Sequence, residues 1–230
     1  MKKAFLLLSV SIFVFVSFAQ SKKESKVKTI YSQGFNSDKS TGDFEYSDAS
    51  KWLISKKGKS GKSLKCLGKG QYIDVNGGPS IMAILKNIEV KDFELELLVQ
   101  QNGKNFDLLD FCIFYGIKDS LHYSYAQIAG HADKSTHNIF QVDAAKPQRL
   151  CDKKDKGIRW GVDEWHKVKV VRNTSNQSLK VYFNDELILQ TNEDSITSGY
   201  IGFGSTNSAL KVDNIKLMAT DYTKNSSTIF

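Results

Sequence analysis

The side chains best suited to chemistry lie in residues 115–142, YGIKDSLHYSYAQIAGHADKSTHNIFQV. Two runs there, 123–128 and 137–142, read as strands, in which successive side chains point to opposite faces. In the first, Ala126 and Ile128 point one way and Tyr123, Tyr125 and Gln127 the other. In the second, Phe140 and Val142 point one way and His137, Ile139 and Gln141 the other. With the apolar sides turned to a core, the opposite sheet surface carries Tyr123, Tyr125, Gln127, His137 and Gln141. Aromatic rings pack on the C–H faces of sugars, and amides and imidazoles hydrogen-bond hydroxyls, so the mixture fits a glycan groove. The connecting loop adds His131 and Asp133. Tyr115, Tyr125 and the loop residue Trp160 are the stacking candidates. Gln127, Gln141 and Arg149 are the candidate hydroxyl ligands. His137 is the candidate acid/base, because an unperturbed imidazole titrates near neutral pH.

Other constellations carry less. His122, His131 and His137 match no standard metal-ligand spacing. Glu94 and Glu96 share one face of a strand, as a pair of glycosidase carboxylates would, but so do solvated strand charges. Lys59-Ser60-Gly61-Lys62-Ser63 resembles the end of a phosphate-binding loop, yet the first glycine of that motif falls at Lys56 and no helix pattern follows. No G-x-S-x-G or H-E-x-x-H motif is present. Lysines 51, 56, 57, 59, 62, 65 and 69 form a run without acids. Such a run attracts nucleic acid or polyanionic glycans. No nucleic-acid motif accompanies it, so it reads as a solvated face and nucleic acid is not an expected partner.

The elements that must position these residues are strands throughout. Phe93-Glu94-Leu95-Glu96-Leu97 alternates, as do the runs around Val168 and Val170 and around Leu179, Val181 and Phe183. Asn184-Asp185 between two such runs predicts a hairpin. Residues 63–66, 71–75, 81–85, 111–116, 200–203 and 210–217 are further strands. No long window has a 3.6-residue period, so the fold class is all-β, an antiparallel sandwich or barrel. Hydrophobic residues at 40% and charged residues at 25% exclude a disordered chain.

Residues 1–19 read as a cleaved export signal: Lys2 and Lys3, then an apolar stretch, then Ser17-Phe18-Ala19. The stretch is shorter than the about 20 residues a membrane span needs. An extracytoplasmic protein, periplasmic or secreted, is expected, with no membrane anchor after cleavage and as a monomer. Residues 20–29 read as a flexible leader, 30–218 as the sandwich and 219–230 as a frayed tail. Cys66, Cys112 and Cys151 are an odd set, read as buried and mostly free thiols.

The order Tyr125-Ala126-Gln127-Ile128-Ala129, Ala132-Asp133, His137-Asn138-Ile139-Phe140-Gln141-Val142, Arg149, Gly157-Ile158-Arg159-Trp160 and Trp165-His166-Lys167-Val168-Lys169-Val170 resembles exported bacterial proteins of the concanavalin A-like lectin/glucanase superfamily. Within it, the chain is most similar to the 3-keto-disaccharide hydrolase domains. Residues 181–185, 199–205 and 212–217 fit the same pattern. The resemblance implies a jelly roll with one concave sheet that holds carbohydrate. It leaves three functions open: a hydrolase of keto-glycosides, a non-catalytic carbohydrate-binding module, or a structural and adhesive protein. The glucanase signature E-x-D-x-x-E is absent. Related sandwiches often hold a structural calcium on an Asp of the last strand, which makes Asp213 a candidate ligand, with Gly42-Asp43 as partner segment. A strand-end Asp capping a turn is the competing reading.

Overall fold

Asn184 and Asp185 both adopt left-handed backbone, with φ of 50° and 70°. That is the geometry of the two-residue turn that matches strand twist, and it closes the expected hairpin. The computed structural model describes residues 27–103, 108–151 and 156–230. The expected export signal and most of the expected leader lie outside the described residues. The strands are, in chain order, β1 (Lys28–Gln33), β2 (Phe44–Tyr46), β3 (Trp52–Ser55), β4 (Ser63–Cys66), β5 (Ile81–Val90), β6 (Phe93–Gln101), β7 (Asp110–Asp119) and β8 (His122–Ala129). There follow β9 (Ile139–Asp143), β10 (Gln148–Arg149), β11 (Trp165–Asn173), β12 (Ser178–Phe183), β13 (Glu186–Thr191), β14 (Gly199–Ser205), β15 (Leu210–Ala219) and β16 (Tyr222–Thr223).

They form two antiparallel eight-stranded sheets. The first runs β13-β12-β11-β6-β15-β4-β3, with β1 also on β15; the second runs β10-β9-β8-β7-β14-β5-β16, with β2 also on β5. The fold is all-β, as the alternation predicts, and it is the two-sheet jelly-roll sandwich that the resemblance implies. The inner faces meet in one core. Leu95, Leu97, Val168, Val170 and Leu217 come from the first sheet, and Phe111, Ile113, Ala126, Ile128 and Phe203 from the second. Arg172 of β11 is buried between them. Its guanidinium donates to Asp194 at 2.6 Å and lies 5.4 Å from the Tyr115 ring centroid.

The first sheet alternates as a half-solvated sheet should, with Phe93, Leu95, Leu97 and Val99 buried and Glu94, Glu96 and Leu98 partly exposed. The second does not. Its β7 is buried from Asp110 to Ile117 and all of β14 is buried. A second apolar cluster covers its outer face: Met82, Ile84, Cys112, Phe114, Tyr123, Tyr125, Phe140, Val142 and Tyr200.

This second cluster corrects one register. Tyr125 pairs with Phe140 and Tyr123 with Val142, so all four face outward, while Ile139 enters the inner core. The expectation that Phe140 and Val142 face the core fails because both faces of this sheet are apolar, and alternation cannot tell such faces apart. Three boundaries also differ. Residues 71–75 are a loop built on a turn at Asp74, and β1 begins at Lys28, inside the expected leader. The tail expected to fray is docked instead: Tyr222 pairs with Val90, and the Ile229 and Phe230 amides donate to the Glu45 carboxylate at 2.9 and 2.8 Å.

Candidate functional site

The outer face of the second sheet carries a ladder of rings across β7, β8 and β9. Phe114 lies 6.1 Å from Tyr123 and 6.0 Å from Tyr125, and Tyr125 stacks on Phe140 at 5.0 Å between centroids. Beside the ladder, β14 presents Gly202 and Gly204 to this face. A Cβ at Gly204 would run into the Ile81 carbonyl, so the two strands approach too closely there for a side chain. Arg149, opposite Phe140 in the pairing, is exposed at the rim on the same face.

At one end of the ladder lies Asp110, buried and absent from the sequence candidates. Its Oδ1 accepts from Ser205 Oγ at 2.5 Å and Ser208 Oγ at 3.1 Å. Its Oδ2 accepts from Gln127 Nε2 at 2.8 Å and from Thr206 Oγ1 at 2.9 Å. Its lone pairs are thus occupied, which makes it an anchor for the 205–208 turn and not a proton acceptor. Gln127 Oε1 has no partner among the described residues and remains as an acceptor for a hydroxyl. A charged residue inside Leu109-Asp110-Phe111-Cys112-Ile113 was the signal that could have pointed here, since such a residue must be paired when buried.

Toward the other end, the Tyr123 hydroxyl donates to Asp74 Oδ2, while Asp74 Oδ1 takes the Asn76 amide at 2.8 Å. Burial first, and then the Asp74 carboxylate, push the Tyr123 phenol well above its ordinary pKa. Burial also raises Tyr125, with Cys112 and then Asp74 and Asp110 adding to it. Cys112 is raised by burial and by Asp110. Both phenols and the thiol are therefore protonated donors at neutral pH. Cys66, Cys112 and Cys151 are all buried free thiols. Tyr72 and Ile229 pack against the cluster, and Phe230 meets Tyr72 edge-on at 5.2 Å, so loop 67–80 and the last residues lie over this face.

Of the sequence candidates, Tyr125, Gln127 and Arg149 come together here. The others do not. Tyr115 pairs with Ser124 and points into the inner core, where it is fully buried. Gln141 pairs with Ser124 as well, on the inner side, and accepts from Ser195 Oγ at 3.3 Å. His137 precedes β9 with φ of 51°, and its Nδ1 accepts the Ala129 amide at 3.1 Å. A ring nitrogen that accepts carries no proton, so this nitrogen positions the strand end and is no acid. His131 and Asp133 lie exposed in the loop. The His131 carbonyl accepts from Thr136 Oγ1 at 2.8 Å, and Asp133 caps Ser135 at 2.7 Å, which holds its carboxyl below the usual range. Trp160 is a core residue and not a platform. Its ring meets Phe183 edge-on at 5.2 Å, and His166 Nε2 donates to its carbonyl while Nδ1 takes Asn184 Nδ2 at 3.0 Å.

Asp213 is fully buried. Its Oδ2 accepts the Lys59 and Ser60 amides at 2.8 and 3.3 Å, and its Oδ1 accepts the Asn214 amide at 2.8 Å. These are donors, whereas a calcium ion needs oxygen acceptors, so the donor set fits a clamp for loop 57–62 and not a cation. Asp43, its expected partner, accepts from Tyr31 and Gln33. Among the described residues no group of three or more His, Cys, Asp or Glu could hold a metal ion.

Comparison with solved structures places the fold among lectin-like β-sandwiches. The carbohydrate-binding module CBM66 from Bacillus subtilis superposes with a TM-score of 0.55 at 12% identity, over 77% of this chain and 96% of that one. The Emp47p carbohydrate recognition domain gives 0.55 at 14% identity, over 84% and 97%. Peanut lectin gives 0.52 at 10% identity, over 88% and 100%. At these identities the likeness is one of fold. No curated protein sequence matches the chain. The model of the 3-keto-alpha-glucoside-1,2-lyase-like domain matches residues 33–218, most of the chain, and the protein belongs to that family.

Proposed function

We propose that the chain binds a carbohydrate, a keto-glycoside, on the outer face of the second sheet. The observation that carries this reading is the ladder of Phe114, Tyr125 and Phe140, with the Gln127 carbonyl at one end and Arg149 on the rim. Ring faces take sugar C–H surfaces, and the amide and guanidinium take hydroxyls. Loop 67–80 and residues 226–230 must move aside for a ligand to enter. The pattern of residues 1–19 supports action outside the cytoplasm, where glycans are met.

A catalytic reading is favoured by the Asp74–Tyr123 pair together with the family's name. A ketone at C3 acidifies the hydrogen on C2. In a 1,2-elimination, Asp74 takes that proton, the C2–H electrons form the C1=C2 double bond, and the C1–O bond breaks. Tyr123 protonates the departing oxygen, and proton transfer from Asp74 to Tyr123 restores the pair.

Calorimetry with α-linked disaccharides and their 3-keto forms tests binding; Arg149→Ala should weaken it by about tenfold, and deletion of residues 226–230 should speed association. Mass spectrometry tests catalysis, because elimination yields a sugar product one water lighter than hydrolysis. Asp74→Asn and Tyr123→Phe should each lower turnover about a hundredfold or more while binding persists. Binding without turnover in the unaltered protein leaves a binding module. Absence of binding to every sugar overturns the whole reading.

A further inference from the structure

The outer face of the first sheet, on the opposite side of the sandwich, carries a row of side chains across five strands. Pairing aligns Trp165 of β11, Gln100 of β6, Lys211 of β15, Lys65 of β4 and Leu53 of β3. At the usual strand spacing the row is about 19 Å long. The loop between β3 and β4 brings Lys56, Lys57, Lys59 and Lys62 to the same end. It is held down by Asp213, whose oxygens are turned to the backbone amides of Lys59, Ser60 and Asn214.

Charge on this face is unevenly neutralised. Toward β11 the lysines are paired, Lys169 with Glu94 at 2.8 Å and Lys167 with Asp185. Toward β3, Lys62 of the loop is paired with Asp38 at 2.8 Å, whereas Lys211 Nζ meets the neutral Gln100 Oε1 at 2.7 Å. Burial lowers the Lys211 pKa, Asp163 opposes this, and Lys65 and Lys57 lower it further, so these ammonium groups lie close enough to repel one another. Repulsion among fixed cations is relieved by a bound anion. Trp165 is half-buried and offers part of its ring in the same row.

We infer that this row, from Trp165 on β11 to the β15-β4-β3 end, binds an acidic polysaccharide, its carboxylate or sulfate groups on Lys57, Lys65 and Lys211 and a sugar ring against Trp165. A sugar chain lies along a flat sheet, whereas duplex nucleic acid is read by an element that enters a groove, which this face lacks. The lysine run that reads from sequence as a solvated face is thereby a second glycan surface, independent of the first.

Affinity electrophoresis of the full chain in polygalacturonate and in dextran sulfate tests this and separates the two anionic groups. Retardation by at least one is expected, with none by neutral dextran. Lys65→Gln with Lys211→Gln should weaken binding about tenfold or more and flatten its salt dependence, since fewer counterions are released. Trp165→Leu should weaken it further if the ring stacks. Arg149→Ala, on the other sheet, should leave it unchanged, so failure here is distinct from failure of the proposed keto-glycoside site. The inference falls if neither polymer retards the protein. It falls too if duplex DNA and anionic vesicles bind as tightly with the same lysine dependence, or if the double variant, folded by circular dichroism, binds as the parent does.

Discussion

The two sheets share one core and treat their outer faces in opposite ways. In the first, β6 and β11 alternate buried and half-exposed residues, and the outer face meets water with charges such as the Lys169–Glu94 pair. In the second, β7, β8 and β14 are buried on both faces, and the outer face is a small core of its own beneath Tyr72 and Ile229. The lesson concerns coupling between site and stability. On the solvated face a ligand-binding residue can change without disturbing the packing. On the covered face the rings that would meet a sugar are also the rings that hold the cover down.

The largest effect is expected between the sheets, where the two halves are joined. Arg172→Ala leaves the buried Asp194 carboxylate without its partner and should cost about 3–5 kcal/mol in urea unfolding. A loss below about 1 kcal/mol would mean the sheets do not depend on this pair. Next comes the sharpest contrast between the outer faces. Tyr125→Ala should cost about 3–5 kcal/mol, on the scale of a buried aromatic, and Tyr182→Ala, half-exposed on the first sheet, less than about 1 kcal/mol. Equal costs would abolish the distinction drawn here.

On the first sheet, Asp213→Ala should cost about 1–3 kcal/mol by orphaning the amides of loop 57–62. Added calcium followed by a chelator should leave the melting temperature of the parent protein in place; a calcium-dependent rise would restore the cation reading. The smallest effect lies in the loop at the end of the second sheet. The Ser135 amide lowers the Asp133 carboxyl pKa, the small desolvation cost opposes it, and the Ser135 hydroxyl adds to the lowering. A carboxyl lowered in the folded state stabilises above its unfolded pKa and loses that contribution as pH falls through the folded value. The slight stability deficit of Asp133→Ala should therefore be present at neutral pH and fade in acid. A deficit that is unchanged in acid would show that the charge is not its source.

Legibility in sequence followed the same division. The first sheet was readable because one of its faces is wet: Phe93 to Leu97, Val168 to Val170 and the Asn184-Asp185 turn all display their role in type and spacing. On the second sheet, Tyr123, Tyr125 and Gln127 were correctly grouped opposite Ala126 and Ile128, but Phe140 and Val142 were assigned to the wrong side. Two apolar faces erase the period-2 signal that would distinguish them. His137 read as a strand residue because nothing in the residue type marks its left-handed backbone. Tyr115, Gln141 and Trp160 are polar or aromatic types that suit a groove equally well as a core.

By itself the sequence determined the fold class, the hairpin at Asn184-Asp185, the family and the segment in which the ring ladder occurs, because strand alternation, turn geometry and family pattern are local properties. Tertiary structure alone decided that Asp110 is an anchor, that Asp74 meets Tyr123 across 49 positions, that residues 229–230 dock on Glu45, and that Lys65 and Lys211 stand side by side. Each of these joins residues far apart in the chain through sheet order and burial, and neither can be read from the neighbours of a residue in sequence.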